Sequence, residues 1–142
     1  MLFSSFLIGQ NLTGAWSSST DQIQSVWIMT ANHFSMAKYE TDPAVFISTA
    51  GGSWAIADDH VVLNWEFDNS SPEKVGTQTK DNFLQSDDNI KWENTLWHRI
   101  DKGQPDALQG AWLITGRKRE GVISERVPGV RRTMKILSGT QF

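Results

Sequence analysis

The sequence predicts an all-β protein in which a small up-and-down antiparallel β-barrel is followed by the first strands of a second, incomplete copy. Three observations support this prediction. Apolar and polar residues alternate over most of the first hundred positions, clusters of turn-forming residues interrupt the alternation at short intervals, and a five-residue motif recurs near the C-terminal end. A sandwich of two packed sheets is the alternative architecture, because it is also built from short antiparallel strands.

The clearest strand is Val61–Phe67, whose odd-numbered positions are all apolar, whereas the even-numbered ones are mostly polar. A period of two is typical of a strand with one face on the core and one face in water. Similar stretches, in chain order, are Leu12–Ser18, Gln22–Thr30, Phe34–Glu40, Val45–Thr49, Ser53–Ala57, Val75–Leu84, Ile90–Asn94 and Leu96–Ile100. We therefore expect eight to nine short strands joined in sequence order.

Turns are expected wherever Gly, Pro, Asn, Asp and Ser cluster, because these residues adopt or stabilise turn conformations. The clusters are Ser19–Asp21, Asn32–His33, Thr41–Pro43, Gly51–Gly52, Asp58–Asp59, Asp68–Pro72 and Ser86–Asn89. Short turns between consecutive strands produce an antiparallel meander. A meander with this many strands usually curls or closes, which removes its exposed edges, and a barrel is the expected result.

A repeat divides the chain into two units. Leu12–Trp16 (Leu-Thr-Gly-Ala-Trp) recurs as Leu108–Trp112 (Leu-Gln-Gly-Ala-Trp), 96 residues later. Ile28–Phe34 aligns more loosely with Ile136–Phe142, 108 residues later, which places a 12-residue insertion after the second Trp. Self-similarity of this kind indicates tandem copies of one fold. We predict an N-terminal segment at residues 1–11, a barrel at 12–101, a linker at 102–107 and a truncated second repeat at 108–142.

The charge distribution also changes between the two units. The whole chain carries −3, but residues 1–101 carry −8 and residues 102–142 carry +5. Opposite charges would favour docking between the tandem domains in a salt-dependent way. The basic cluster Arg117–Arg119 is interrupted by Glu120 and Glu125, so we interpret it as a solvated hairpin and expect no nucleic-acid partner.

The N-terminal residues suggest export. Leu2–Gly9 is apolar and looks like the end of a signal segment, with Gln10 and Asn11 as a plausible mature start. The alternative is an ordinary N-terminal strand or short helix that packs on the barrel. No run approaches the roughly 20 apolar residues of a transmembrane helix, and the chain has no cysteine. We expect a secreted or periplasmic protein of the cell envelope.

Two short motifs carry a resemblance to a known fold family. Gly14-x-Trp16 on the first strand and Trp97-x-Arg99 on the last resemble the pattern of lipocalins and the wider calycins. The resemblance implies that these residues meet at the closed end of the barrel, where the indole of Trp16 plugs the floor and the guanidinium of Arg99 stacks on it. Gly14 would let the chain bend closely beneath the floor.

The chain looks closer still to secreted bacterial lipocalin-like proteins with tandem domains and no established function. The matching pieces extend over residues 12–142. They are Leu12-x-Gly14-x-Trp16, Ala50–Trp54, Val75–Gly76 and the run Pro128–Gly139 in the second unit.

The sequence offers little support for catalysis or metal binding. His33, His60 and His98 are scattered, and no cysteine is available to complete a zinc site. The only compact acid–base cluster, Asp58–His60, falls where a hairpin turn is required. Nucleophile-elbow, phosphate-loop and dinucleotide motifs are absent from the sequence. We expect neither an enzyme nor a bound cofactor.

Aromatic residues remain as the candidates for function. A barrel interior lined by them would suit a small hydrophobic molecule, and the candidate residues are Trp27, Phe34, Trp54, Trp65, Phe67 and Trp92. Alternatively, they fill the core and leave no cavity. We therefore expect a non-catalytic, exported binding module for a small apolar ligand. The alternative is a structural or adhesive barrel with a filled core that binds a protein or glycan through its outer surface.

Overall fold

The computed structural model describes residues 11–58, 60–103, 108–125 and 134–142, and over these residues the protein is all-β. The first nine strands are β1 (Gly14–Thr20), β2 (Ile23–Met29), β3 (His33–Thr41), β4 (Ala44–Ala57), β5 (His60–Asp68), β6 (Gln78–Asp81), β7 (Phe83–Ser86), β8 (Asn89–Trp92) and β9 (Thr95–Asp101). Four more follow, namely β10 (Gly110–Leu113), β11 (Gly116–Arg119), β12 (Val122–Glu125) and β13 (Met134–Leu137). One turn of 3₁₀ helix, Pro72–Lys74, lies between β5 and β6.

Strands β1 to β9 form one antiparallel sheet in the order β6-β5-β4-β3-β2-β1-β9-β8-β7. Every neighbouring pair in this order is consecutive in the chain except β1 and β9, whose pairing curls the sheet back on itself. The two edge strands, β6 and β7, are joined directly through Asn82. The sheet is therefore a nearly closed up-and-down barrel, which confirms the predicted fold class.

The interior of the barrel is packed with large side chains. One core cluster contains Trp16, Trp27 and Phe34, which are fully buried. The other buried members are Leu12, Met29, Val61, Leu63, Trp65, Phe83, Ile90 and Trp97. Because each aromatic residue buries roughly 150–250 Å², this cluster supplies a large hydrophobic stabilisation in a chain without disulfides.

The predicted turn at Gly51–Gly52 is wrong, because both residues lie inside the long strand β4. The close approach of neighbouring strands explains the glycines. A Cβ atom at Gly51 would overlap the carbonyl oxygen of Phe34, and one at Gly52 would overlap the carbonyl oxygen of Asn64. The two glycines therefore mark contact between backbones within the sheet rather than a reversal of the chain.

A β-bulge changes the orientation of residues at the end of β5. Gly52 pairs with Trp65 and Gly51 pairs with Phe67, so Glu66 is the extra residue on β5. An extra residue reverses the inward–outward alternation beyond it. Asp68 is consequently buried, whereas Phe67 is half-buried and lies outside the core cluster. The expectation that Phe67 shares the inward face of Val61–Trp65 is thus wrong.

The stretch Val75–Leu84 is not the single strand that its composition predicts. Val75 and Gly76 belong to the turn after the 3₁₀ helix, and the chain then forms β6 and β7 with a break at Asn82. This break is where the chain passes from one edge of the sheet to the other, so a continuous strand cannot form there.

Strands β10 and β13 form a separate two-stranded sheet whose local geometry repeats that of β1 and β2. Ala15 pairs with Ile28 in the first pair, and Ala111 pairs with Ile136 in the second. In both pairs the glycine before the alanine has a positive φ, +127° and +131° respectively. The two strand pairs therefore share the same register at these positions.

Two hydrogen-bond patterns recur as well. Trp16 Nε1 donates to the carbonyl oxygen of Leu12 at 2.9 Å, and Trp112 Nε1 donates to that of Leu108 at 2.7 Å. The turn that follows each second strand is also the same. His33 N donates to Thr30 Oγ1, and Gln141 N donates to Ser138 Oγ, both at 3.1 Å.

The β10–β13 sheet rests on the outer face of the barrel. Ile136 packs against Ala15 and Ile28 in a small cluster of its own. Asp101 Oδ2 accepts hydrogen bonds from Ser138 Oγ at 2.9 Å and from Thr140 N and Oγ1 at 3.0 and 2.7 Å. Within the part of the chain that the structure describes, this contact consists of apolar packing and hydrogen bonds, and no ion pair crosses it.

Several expectations concern residues that the structure does not describe. They include nearly all of the N-terminal segment 1–11, most of the linker 102–107, and Asp59. Residues 128–133 of the Pro128–Gly139 run also lie outside the described ranges. No helix among the described residues is long and apolar enough to cross a membrane.

Candidate functional site

The closed end of the barrel is built around Trp16 and Arg99. The guanidinium carbon of Arg99 lies 3.9 Å from the centroid of the Trp16 ring. Its Nη1 and Nη2 atoms donate to the carbonyl oxygens of Thr13 and Asn11 at 3.0 and 2.9 Å. Gly14 passes so close to Asp101 that a Cβ would overlap the Asp101 carbonyl oxygen. These contacts pack Trp16, Arg99 and Gly14 tightly together at this end of the barrel.

The other end of the interior holds an open cavity of about 590 Å³, which we call the cup. Such a volume lies within the range of small-molecule sites, roughly 300–1,000 Å³. Apolar and aromatic residues line part of the cup, namely Ile23, Met36, Ala50, Trp65, Trp92 and Trp97. Most other lining residues are hydroxyl-bearing or charged, including Ser25, Thr95, Lys38, Asp68, Lys74, Asp81 and Glu93.

A layer of aromatic rings lies deeper than the cup and is organised around Trp27. Its ring centroid is 5.0 Å from that of Trp92, 5.6 Å from that of Trp97 and 5.2 Å from that of Phe83. Phe34 makes an edge contact with Trp65 at 5.3 Å. These edge-on and tilted geometries are the favourable ones for aromatic pairs. They fix the indoles that form the floor of the cup.

The indole N–H groups of three of these residues contribute nothing to that rigidity. Within the described residues, Nε1 of Trp27, Trp92 and Trp97 has no hydrogen-bond acceptor. A buried donor without a partner costs about 1–3 kcal/mol. Ring packing therefore holds these three indoles in place.

The sequence-predicted pocket residues have different positions. Trp65 and Trp92 line the cup. Trp27 and Phe34 are fully buried and fill the interior. Trp54 packs against the core, and its Nε1 donates to the carbonyl oxygen of Thr30 at 3.0 Å. Neither Trp54 nor Phe67 lines the cup. The interior is thus partly filled and partly open, which combines the two alternatives that the sequence left.

Sequence reasoning missed the polar wall of the cup and the second role of Trp97. Trp97 is 4% exposed and lines the cup, although the motif assigned it to closure of the barrel. Asp68 is 8% exposed and also lines the cup. Its sequence context, Asp-Asn-Ser-Ser-Pro, is typical of a turn, so only the bulge at Glu66 reveals its inward position.

The carboxylate of Asp68 holds the turn that follows β5 through hydrogen bonds. Its Oδ1 atom accepts hydrogen bonds from Ser70 N and Oγ, both at 2.9 Å, and from Ser71 N at 2.8 Å. Burial raises the pKa of Asp68, but these hydrogen bonds and the charge of Lys74 outweigh it, so the pKa lies below its ordinary value. Asp68 is therefore a carboxylate at neutral pH.

The residues considered for acid–base or metal chemistry remain apart. His33 Nδ1 lies 2.8 Å from Asn32 Oδ1, and His98 Nδ1 lies 2.7 Å from Asn89 Oδ1. Asp58 has a φ of +56° in the turn between β4 and β5. Within the described residues, no group of three or more potential metal ligands occurs. Arg117–Arg119 lie on the exposed β11–β12 hairpin.

Comparisons of the chain with protein-family models, curated protein sequences and solved structures found no match. The geometry of the chain itself therefore carries the functional argument.

Proposed function

We propose that this protein is a non-catalytic, lipocalin-like binding module that holds a small molecule in the cup of its barrel. One observation carries the proposal: the barrel is sealed at the Trp16–Arg99 end, yet a cavity of about 590 Å³ with an indole floor is left at the other. Because the cup wall is polar, the ligand has an apolar body and a polar group. Export to the cell envelope is part of the same proposal and rests on the apolar run Leu2–Gly9.

The function can be tested by titrating intrinsic tryptophan fluorescence with fatty acids, retinoids and haem, together with small aromatic compounds. Trp65, Trp92 and Trp97 line the cup and would report on occupancy. A Ser25→Phe variant places a ring inside the cup, whereas Gln24→Phe, one residue earlier on β2, places it on the outer face. Ser25→Phe should abolish binding and Gln24→Phe should preserve it. A flat titration and an unmoved thermal midpoint with every compound would exclude the proposal.

A second candidate is a structural or adhesive barrel that contacts a protein or glycan through its outer surface. It is favoured by three consecutive apolar residues on β4, Val45, Phe46 and Ile47, which are 47%, 61% and 40% exposed. If this candidate is correct, Phe46→Ser should weaken the attachment of the protein to its partner surface without changing ligand titrations of the cup.

The geometry that the strand pair β10–β13 shares with β1–β2 supports a proposal about domain organisation. We propose that residues 108–142 are a repeat of the strand arrangement with which the first unit begins. The shared register, the positive φ of Gly14 and Gly110, and the equivalent tryptophan hydrogen bonds support it. The environments of the two tryptophans differ, since Trp16 is fully buried and Trp112 is 49% exposed.

A further inference from the structure

The buried carboxylate of Asp68 has one oxygen engaged and one that faces no donor. All three hydrogen bonds from Ser70 and Ser71 go to Oδ1. No donor among the described residues reaches Oδ2, although the side chain lines the cup and the residue is only 8% exposed. The cup therefore contains an anionic group that is held in place and available to a positively charged partner.

The protein already places an ammonium group in this corner of the cup. Lys74 Nζ lies 5.5 Å from the centroid of the Trp65 ring, and its charge contributes to the ionisation of Asp68. Aromatic faces attract cations through the ring quadrupole. An indole face beside a carboxylate is thus a combination that favours cations, and Lys74 is one cation that already lies there.

A hydrogen-bond relay adds a second carboxylate near Trp65. Trp65 Nε1 donates to Thr79 Oγ1 at 3.1 Å, and Thr79 Oγ1 donates to Asp81 Oδ2 at 3.0 Å. Three carboxylates, those of Asp68, Asp81 and Glu93, line the cup, against two lysines. The −8 charge of residues 1–101 extends this preference over the whole unit, because a net negative field attracts cations to a cleft.

We propose that the ligand of the cup is a small organic cation, an amine or guanidine with an aromatic or alkyl body. The positive group lies between Asp68 Oδ2 and the face of Trp65, and the body packs against Met36, Trp92 and Trp97. This inference rests on the proposed small-molecule function and specifies its ligand class. An anionic ligand would instead meet the fixed charge of Asp68. Of the two lysines that line the cup, Lys38 is exposed to solvent and Lys74 already contacts Trp65.

Three probes of similar shape and different charge test the proposal by calorimetric titration: 2-phenylethylammonium, 2-phenylethanol and 3-phenylpropanoate. The dissociation constant of the ammonium should be lower than that of the alcohol by a factor of about ten or more, since a hydrogen bond between charged groups is stronger than a neutral one. Its affinity should fall with added salt, whereas that of the alcohol should not. The carboxylate should bind most weakly.

Asp68→Asn should remove the preference for the ammonium and leave the affinity for the alcohol unchanged. The amide oxygen of Asn can still accept the hydrogen bonds from Ser70 and Ser71, so the loop should be retained. Asp87→Asn is the matched control, because Asp87 is an exposed turn residue that does not line the cup and its replacement changes the net charge equally. Lys74→Met should raise the affinity for the ammonium, because it removes the competing ammonium from Trp65.

The outcomes separate the ligand class from the function. Equal binding of ammonium and alcohol, or tighter binding of the carboxylate, would overturn the cation proposal while the cup remains a binding site. Lack of binding by all three probes to the unaltered protein would overturn the cation proposal, and the small-molecule function would be excluded as well only if the fluorescence titrations with the wider panel were also flat. If Asp68→Asn does not fold, the Lys74→Met variant still decides, since an unchanged or lowered ammonium affinity would refute the role of this corner.

Discussion

The guanidinium of Arg99 covers the indole of Trp16 at 3.9 Å and also holds two backbone carbonyls that precede β1. One side chain on the last strand of the barrel therefore fixes both the core residue and the entry of the first strand. Burial lowers the pKa of Arg99, and the nearby charges of Asp88 and Asp101 oppose this effect. The residue is a structural closure for the end opposite the cup.

Replacement of Arg99 by Ala should lower the free energy of unfolding by about 2–4 kcal/mol, because the cation–π contact and two hydrogen bonds from a charged donor are lost together. Urea unfolding measured by tryptophan fluorescence would give the value. Lys91→Ala, on the exposed side of neighbouring β8, is the control and should change stability by less than about 0.5 kcal/mol. Similar values for both variants would contradict the closure role.

Gly52→Ala should destabilise the barrel by about 1–3 kcal/mol or more, as overpacking does in other cores. The added Cβ would overlap the backbone of Asn64 and crowd that of Glu66, neither of which can move without breaking the β4–β5 ladder. Ser53→Ala, at the next position, removes an oxygen instead of adding a carbon and should have a much smaller effect. Thermal unfolding followed by circular dichroism would compare them, and equal midpoints would count against the close approach.

Asp101→Asn should destabilise the protein at pH 7 by about 1 kcal/mol, and the difference from wild type should disappear in acid. Partial burial raises the pKa of Asp101, but hydrogen bonds from Thr140, Gly103 and Ser138 outweigh it and place the pKa below its ordinary value. This stabilisation is present above the unfolded-state pKa of about 3.9 and is lost as the pH falls through the lower folded-state pKa.

Urea unfolding of wild type and variant, repeated in steps from pH 7 into acid until the pH is below the folded-state pKa of Asp101, would measure the effect. A difference that persists unchanged well below the folded-state pKa would show that ionisation of Asp101 is not the cause. Asp87→Asn, an exposed turn residue with no side-chain hydrogen bond among the described residues, should show little difference at any of these pH values.

Gly14 and Gly110 allow a test of the strand pairs β1–β2 and β10–β13 by hydrogen exchange. Gly110→Ala forces a non-glycine residue to a φ of +131°, which costs about 1–3 kcal/mol. It should accelerate exchange of the amides of β10 and β13 and leave those of Val61–Trp65 protected. Gly14→Ala should accelerate exchange of the amides of β10 and β13 and also of those of Val61–Trp65, because β1 belongs to the barrel. Loss of protection throughout the barrel in Gly110→Ala would indicate that all strands form one cooperative unit.

The alternation of Val61, Leu63 and Trp65 was sufficient to predict an inward-facing strand, because burial on one face requires a period of two. The same rule failed one step later, at Phe67. A bulge depends on the pairing of β5 with β4, and that pairing is a property of two strands rather than of either sequence. The candidate site was affected directly, since Asp68 rather than Phe67 turned inward.

The glycines of β4 show a similar limit. Gly51 and Gly52 suit a turn by composition, yet they are required inside a strand by the neighbouring backbones of Phe34 and Asn64. The cup could not be predicted from the sequence either. Trp27 and Trp92 are alike in the alternation pattern, but one is fully buried and the other lines the cavity, depending on depth along the barrel axis.

The single long-range strand pairing of the barrel has a consequence for how the chain folds. Seven of the eight strand contacts in the sheet join neighbours in sequence, whereas β1 and β9 bring together Thr13 and Arg99, which are 86 positions apart. Contacts between residues close in sequence cost less loop-closure entropy than a contact of this separation, so local hairpins are expected to form first. We therefore expect ring closure to be the late event in folding, so that loss of the Arg99 contacts accelerates unfolding more than it slows refolding.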